Sequence, residues 1–199
     1  MYITRHSNVT NAEVRDSLWE LYETAYRKIA DQDPSRELLF RTEFDEVMAD
    51  PTYRTTVVRD NDGTPVAMSV IATDIGATRY LSRPYFERRY PEQMSQGRVH
   101  YVMWAVVRPE RQGSRAVFDL IRAGLAPEAE EGTILVFDLP ESNQPNERGS
   151  GAELIHRAAR SFAEVELESF GTTRYYALDF GANHPSVDTE PVEAEAATT

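Results

Sequence analysis

The sequence contains no cysteine. That absence removes disulfides, thiolate nucleophiles and cysteine-based metal sites together. Histidine is scarce, four residues scattered over 199, and no two stand in the spacing that grips a metal from one helix face, so no metal is expected. Lysine is almost missing: Lys28 is the only one, and every other member of the 21 Lys and Arg is arginine. No stretch approaches the about eighteen consecutive apolar residues of a membrane span. The opening residues, MYITRHSNVTNAEV, hold no apolar core of signal-peptide length. These absences predict a cytoplasmic protein with no membrane partner. Positive charge is in deficit too, with a formal net charge of −12, so the broad positive field that recruits nucleic acid is not expected.

What is present is ordinary for a folded domain. Apolar residues make up 41% of the chain, and its length suits one domain with a core of its own. YITR (2–5) makes a short strand. Thr10 precedes Glu13 at capping-box spacing, and Val14, Leu18, Leu21, Tyr22, Ala25 and Ile29 form one apolar stripe, which predicts a helix to about residue 31. Asp33-Pro34 reads as the cap and first turn of a second helix, with Phe40, Phe44, Val47 and Met48 inward and Asp50-Pro51 as its stop. YRTTVVRD (53–60) and TPVAMSVIATD (64–74), joined by Asn61-Asp62-Gly63, form a hairpin. A long connection rich in aromatics and arginines covers 77–97 and reads either as a binding loop or as an amphipathic helix on the sheet edge.

The stretch 98–125, RVHYVMWAVVRPERQGSRAVFDLIRAGL, is the centre of the chain. A strand rich in Val, Tyr and Trp turns through Arg-Pro-Glu-Arg-Gln-Gly into a helix whose inward residues are Val117, Leu120, Ile121 and Leu125. Arg108, Arg111 and Arg115 gather at that helix start, where unpaired N–H groups and the helix dipole favour an anion. A short basic turn without function is the plain alternative. Beyond it, TILVFDL (133–139) is a doubly covered strand, PESNQPNERGSG (140–151) a loop, and AELIHRAARSF an amphipathic helix. VELES and TTRYYALDF read as the last two strands. Residues 181–199 read as an acidic tail without regular structure, following one domain over 1–180.

This element order, with the segment HYVMWAVVRPERQG at 100–113, resembles the GNAT N-acyltransferase superfamily over nearly the whole chain. The resemblance implies an α/β (α+β) domain with a mixed, mostly antiparallel sheet of about six or seven strands and about four helices. It implies an acyl-CoA-dependent N-acyltransferase, acetyl-CoA being the co-substrate and an amine of a small molecule or peptide the acceptor. In this family the fourth strand parts from the fifth, the pantetheine lies in the gap, and loop amides hold the pyrophosphate. Carried over, Val106 and Val107 supply N–H groups to the thioester oxygen, and Arg111, Gln112, Gly113, Ser114, Arg115 and Ala116 form the phosphate loop. The loop is one residue short of the family pattern and has Arg115 where a small residue is usual. That departure leaves two alternatives open: a carrier-protein-bound acyl donor, or a non-catalytic binding module. A homodimer and an acyl carrier protein are left open as partners.

Three groups fall to proton transfer. His100 is the candidate base for the amine. His156 stands where the family often has a tyrosine acid, and Tyr175, with Tyr176 beside it, is another acid candidate. Structural duty is the alternative for each. On simple alternation Trp104 shares the face of His100 and walls the same cavity, with Tyr101 opposite. Arg83, Tyr85, Phe86 and Trp104 are the expected acceptor contacts.

Overall fold

In the computed structural model, described for residues 1–31, 38–139 and 151–174, the strands β1 (Tyr2–His6), β2 (Tyr53–Arg59), β3 (Pro65–Ala72), β4 (Val99–Val107) and β5 (Ile134–Val136) form one sheet in that order. Neighbours are antiparallel except β4 and β5, which run parallel. Six α-helices accompany them: α1 (Ala12–Ala30), α2 (Arg41–Ala49), α3 (Arg83–Arg89), α4 (Pro91–Ser95), α5 (Arg115–Glu131) and α6 (Gly151–Ala159). The mixed α/β architecture is as expected, but the counts are five strands and six helices among the described residues rather than six or seven and four. The extra helices are α3 and α4, which the connection 77–97 forms because Pro84 and Pro91 each open a turn. The difference in strand count falls on the last two expected strands. VELES stays without strand structure, and of TTRYYALDF only 172–174 are described. The loop 140–150 and the tail 181–199 lie outside the described residues, as does Asp33-Pro34.

Apolar periodicity places α1 and α2 on one face of the sheet and α5 on the other. Leu18, Leu21, Tyr22 and Ala25 of α1 and Phe44 and Met48 of α2 are buried with Val57, Met68 and Val70 of the sheet. α1 is capped by Asn11, whose side chain accepts from Val14 N–H at 3.0 Å, and not by Thr10. α2 begins later than the sequence suggested. Phe40 precedes it and is 71% exposed rather than inward, while the Glu43 carboxylate accepts the Phe40 N–H at 2.8 Å.

The underside of α5 changes character along its length. Its first half rests on apolar surface, Ala116 and Leu120 against Val58, Val66 and Ala67. Its second half rests on polar groups. Pro127 has no N–H to give Ala123, and the Arg5 guanidinium supplies that carbonyl with donors at 3.1 and 3.3 Å instead. The helix ends at Gly132, whose φ of +64° suits the left-handed cap. The unit Met1–Ser169 carries all these elements, and Phe170–Arg174 runs on without helix or strand. Among the described residues no helix is long and apolar enough to cross a membrane.

Candidate functional site

β4 owes its geometry to one extra residue. Opposite it Val70 pairs with Trp104, but Ile71 pairs with Val102, so Met103 is a bulge in the ladder. The bulge resets side-chain alternation. Val99 and Tyr101 face α1, and so do Trp104 and Val106, whereas His100 faces α5. Trp104 therefore does not share a face with His100, correcting the expectation from simple alternation. Its ring packs 5.2 Å from that of Tyr22 and 6.2 Å from that of Phe44, and among the described residues its Nε1 has no hydrogen-bond partner.

β5 pairs with β4 only from Val99 to Tyr101, where Ile134 to Val136 lie alongside. Beyond that point β4 continues to Val107 without β5, so the two strands part. Arg108 N–H donates across to Val66 O at 2.9 Å. Antiparallel alternation then turns the N–H groups of Val106 and Trp104 towards β3 and those of Val107 and Ala105 towards the gap. Of the two expected amides, Val107 faces the gap and Val106 does not.

At the end of the gap the chain makes one 3₁₀ turn, Pro109–Arg111, and enters α5 through Gln112, Gly113 and Ser114. Gly113 has φ +76°, a conformation open to glycine at little cost, and a Cβ there would meet nothing. Ser114 caps the helix by accepting Ala116 N–H at 3.2 Å. The N–H groups of Gln112 and Ser114 are taken by Pro109 O and Arg111 O, while among the described residues those of Gly113 and Arg115 find no acceptor. Two of the three arginines are committed elsewhere. Arg108 donates to Pro65 O at 2.9 Å and to Glu20, and Arg111 pairs with Asp60 of the β2–β3 turn. Arg115 is 81% exposed, and among the described residues it pairs with Asp119 one turn on, at 3.3 Å.

His100 sits in a buried polar cluster. It is 3% exposed, its Nδ1 lies 2.7 Å from Glu128 Oε2, and its Nε2 lies 3.2 Å from Gly97 O. Both nitrogens thus face acceptors. Glu128, 5% exposed, also accepts from Thr133 Oγ1 at 2.6 Å and from the Arg54 guanidinium, which reaches Glu131 at 3.0 Å. Burial pushes the Glu128 carboxyl up, but the hydrogen bonds from His100 and Thr133 and the charge of Arg54 outweigh it, so it titrates below its ordinary range. A cleft of about 440 Å³ between Arg5, Arg54, His100 and Glu131 adjoins the cluster, at the opposite end of β4 from the loop.

On the α1 side of the gap Tyr101 donates from its hydroxyl to Asp138 Oδ1 at 2.7 Å. Asp138 follows two residues after β5 ends, and Tyr80 packs its ring 6.5 Å from that of Tyr101. Nothing in the sequence marked this pair; the one signal was an acidic residue closing an otherwise apolar strand. The other candidates are dispersed. Phe86 is core, Tyr85 packs edge-on against it at 5.2 Å, and Arg83 pairs with Glu87 at 2.8 Å. His156 donates from Nε2 to Val165 O at 3.0 Å. Tyr175 and Tyr176 lie outside the described residues. Among the described residues no group of three or more His, Asp or Glu is placed to hold a metal ion.

No protein-family model matches the sequence, and no curated protein matches it. Solved structures do. An aminoglycoside acetyltransferase from an uncultured soil metagenomic sample, in complex with sisomicin, is 13% identical; the match covers 89% of this chain and 96% of that one, with a TM-score of 0.50. A tetramutant of the BH1408 protein from Bacillus halodurans is 14% identical, with 89% of this chain and 100% of that one covered and a TM-score of 0.53. At such identity the likeness is one of fold.

Proposed function

Because the chain carries the fold of the GNAT acetyltransferases, we propose that it is an acyl-CoA-dependent N-acyltransferase. In this reading it moves an acyl group, acetyl in the first instance, to an amine of a small molecule or peptide by direct attack on the thioester. The observation that carries this reading is the parted pair of strands, with β4 offering the Ala105 and Val107 N–H groups to the gap. Such fixed donors favour a developing oxyanion without reorganisation, and positioning supplies much of the remaining acceleration. The Gly113 and Arg115 amides at the start of α5 suit a pyrophosphate, reinforced by the exposed Arg115 side chain. Arg111 is assigned to bracing the β2–β3 turn, and His100 to holding α5, because its nitrogens are already engaged.

The commitment of Arg108 and Arg111 favours one alternative donor, an acyl group on the phosphopantetheine of a carrier protein, which lacks the nucleotide. Calorimetry and thermal shift with acetyl-CoA separate the two. A donor at one hundred times its Kd stabilises by about 2.7 kcal/mol, a Tm rise of about 5–10 °C. No heat and no shift would reject the CoA donor and leave the carrier-protein form to be tested with acyl carrier protein. Turnover is followed by thiol release, free of background because the chain has no cysteine.

A further inference from the structure

An amine that attacks a thioester must shed a proton, and the acid released must be held close to the reacting atoms. Resting on the acyltransferase reading above, the geometry points to Asp138 as the base, with Tyr101 as the residue that positions it. Three observations converge. The β4–β5 pairing ends at Tyr101 and Val136, so Asp138 stands where the strands begin to part. The Tyr101 hydroxyl, on a residue 5% exposed, donates to the Asp138 carboxylate at 2.7 Å, and Asp138 is itself an exposed residue. Both groups lie on the α1 side, two residues before the Met103 bulge and opposite the face that buries His100.

The step balances with the two substrates alone. The amine nitrogen gives its lone pair to the thioester carbon, and the carbonyl π pair moves to oxygen. The nitrogen-bound proton passes to the Asp138 carboxylate. The oxyanion then collapses, the C–S bond breaks with its pair on sulfur, and the proton returns from Asp138 to the thiolate. Amide and thiol leave, and no separate acid is needed.

The test uses the full chain, acetyl-CoA as donor and 2-phenylethylamine as the acceptor probe, with water as the nucleophile in a parallel arm. Asp138→Asn should lower kcat about 10²- to 10³-fold in both arms, while the KM and Kd for acetyl-CoA and the Tm stay as in wild type. Asp138→Glu, which restores a carboxylate, should recover part of the loss. Tyr101→Phe should lower kcat about tenfold at unchanged donor KM, the result of a carboxylate less well held. A wild type that releases thiol alongside an equally active Asp138→Asn overturns this assignment and leaves the acyltransferase reading standing, as does an Asp138→Glu no better than Asp138→Asn. A wild type that binds acetyl-CoA yet releases no thiol in either arm overturns both.

Discussion

Glu128 offers the sharpest test of how the two halves of the fold are joined. Replacing it with alanine removes the acceptor of three donors, His100, Thr133 and Arg54. Breaking a buried ion pair from one side costs about 3–5 kcal/mol, because the remaining charge is left without its partner. Here Arg54 keeps Glu131 at 3.0 Å, and Glu131 is 48% exposed, so the lower figure applies, about 3 kcal/mol. For a chain of this size each kcal/mol moves Tm by about 2–4 °C, which predicts a fall of about 6–12 °C for Glu128→Ala by calorimetry. Glu128→Gln, retaining an acceptor but no charge, should fall by about half as much. The sign with pH follows from the lowered carboxyl. Its stabilisation is complete above the ordinary value of 4.5 and is lost as pH falls through the lower folded value. The gap between wild type and Glu128→Gln should therefore close on acidification below about pH 4.5. A Glu128→Ala protein within about 1 °C of wild type at neutral pH, or a gap that widens in acid, would refute the reasoning.

Two loop substitutions complete the set. Arg111→Ala should cost no more than about 1 kcal/mol, since its pair with Asp60 is partly exposed, and should leave acetyl-CoA affinity nearly unchanged; Arg115→Ala should weaken that affinity about tenfold at unchanged Tm, and calorimetry with both variants checks the order. Gly113→Ala should cost about 1–2 kcal/mol through the left-handed backbone alone, because its Cβ would point into open space; a Tm equal to wild type would show that the loop adopts another conformation.

Periodicity carries local information, and for α1 it is enough. The stripe Leu18, Leu21, Tyr22, Ala25 is visible in the sequence because each is fixed by neighbours within two turns; on α5 only Leu120 of the expected inward set Val117, Leu120, Ile121 and Leu125 is buried, beside Ala116, Ala123 and Glu128. The face of Trp104 is not visible in the sequence, because the Met103 bulge depends on how Val70 and Ile71 pair with β4. Asp33-Pro34 lies outside the described residues, and within them Phe40 stands outside α2, which begins at Arg41. The alternation in VELES suggests a strand, but the described residues form none there. The candidate site divides in the same way. The Arg-Gly turn into α5 is contiguous and was legible. The His100–Glu128–Arg54 cluster joins residues 28, 46 and 74 apart in sequence, and Tyr101 meets Asp138 across 37; only chain closure brings them together.

The change of character beneath α5 has a mechanical meaning. An apolar seat, such as that of Ala116 and Leu120, resists lifting but opposes rotation weakly, since greasy contacts have little direction. Glu128 is different: turned by one residue, about 100°, it would lose Arg54, His100 and Thr133 together. α5 therefore behaves as a shaft keyed at its far end. Arg115 and Glu128 stand thirteen positions apart on one helix, about 20 Å at helical rise. The azimuth at which the Gly113 and Arg115 amides meet the gap is thus tied to charges at the other end of the same helix.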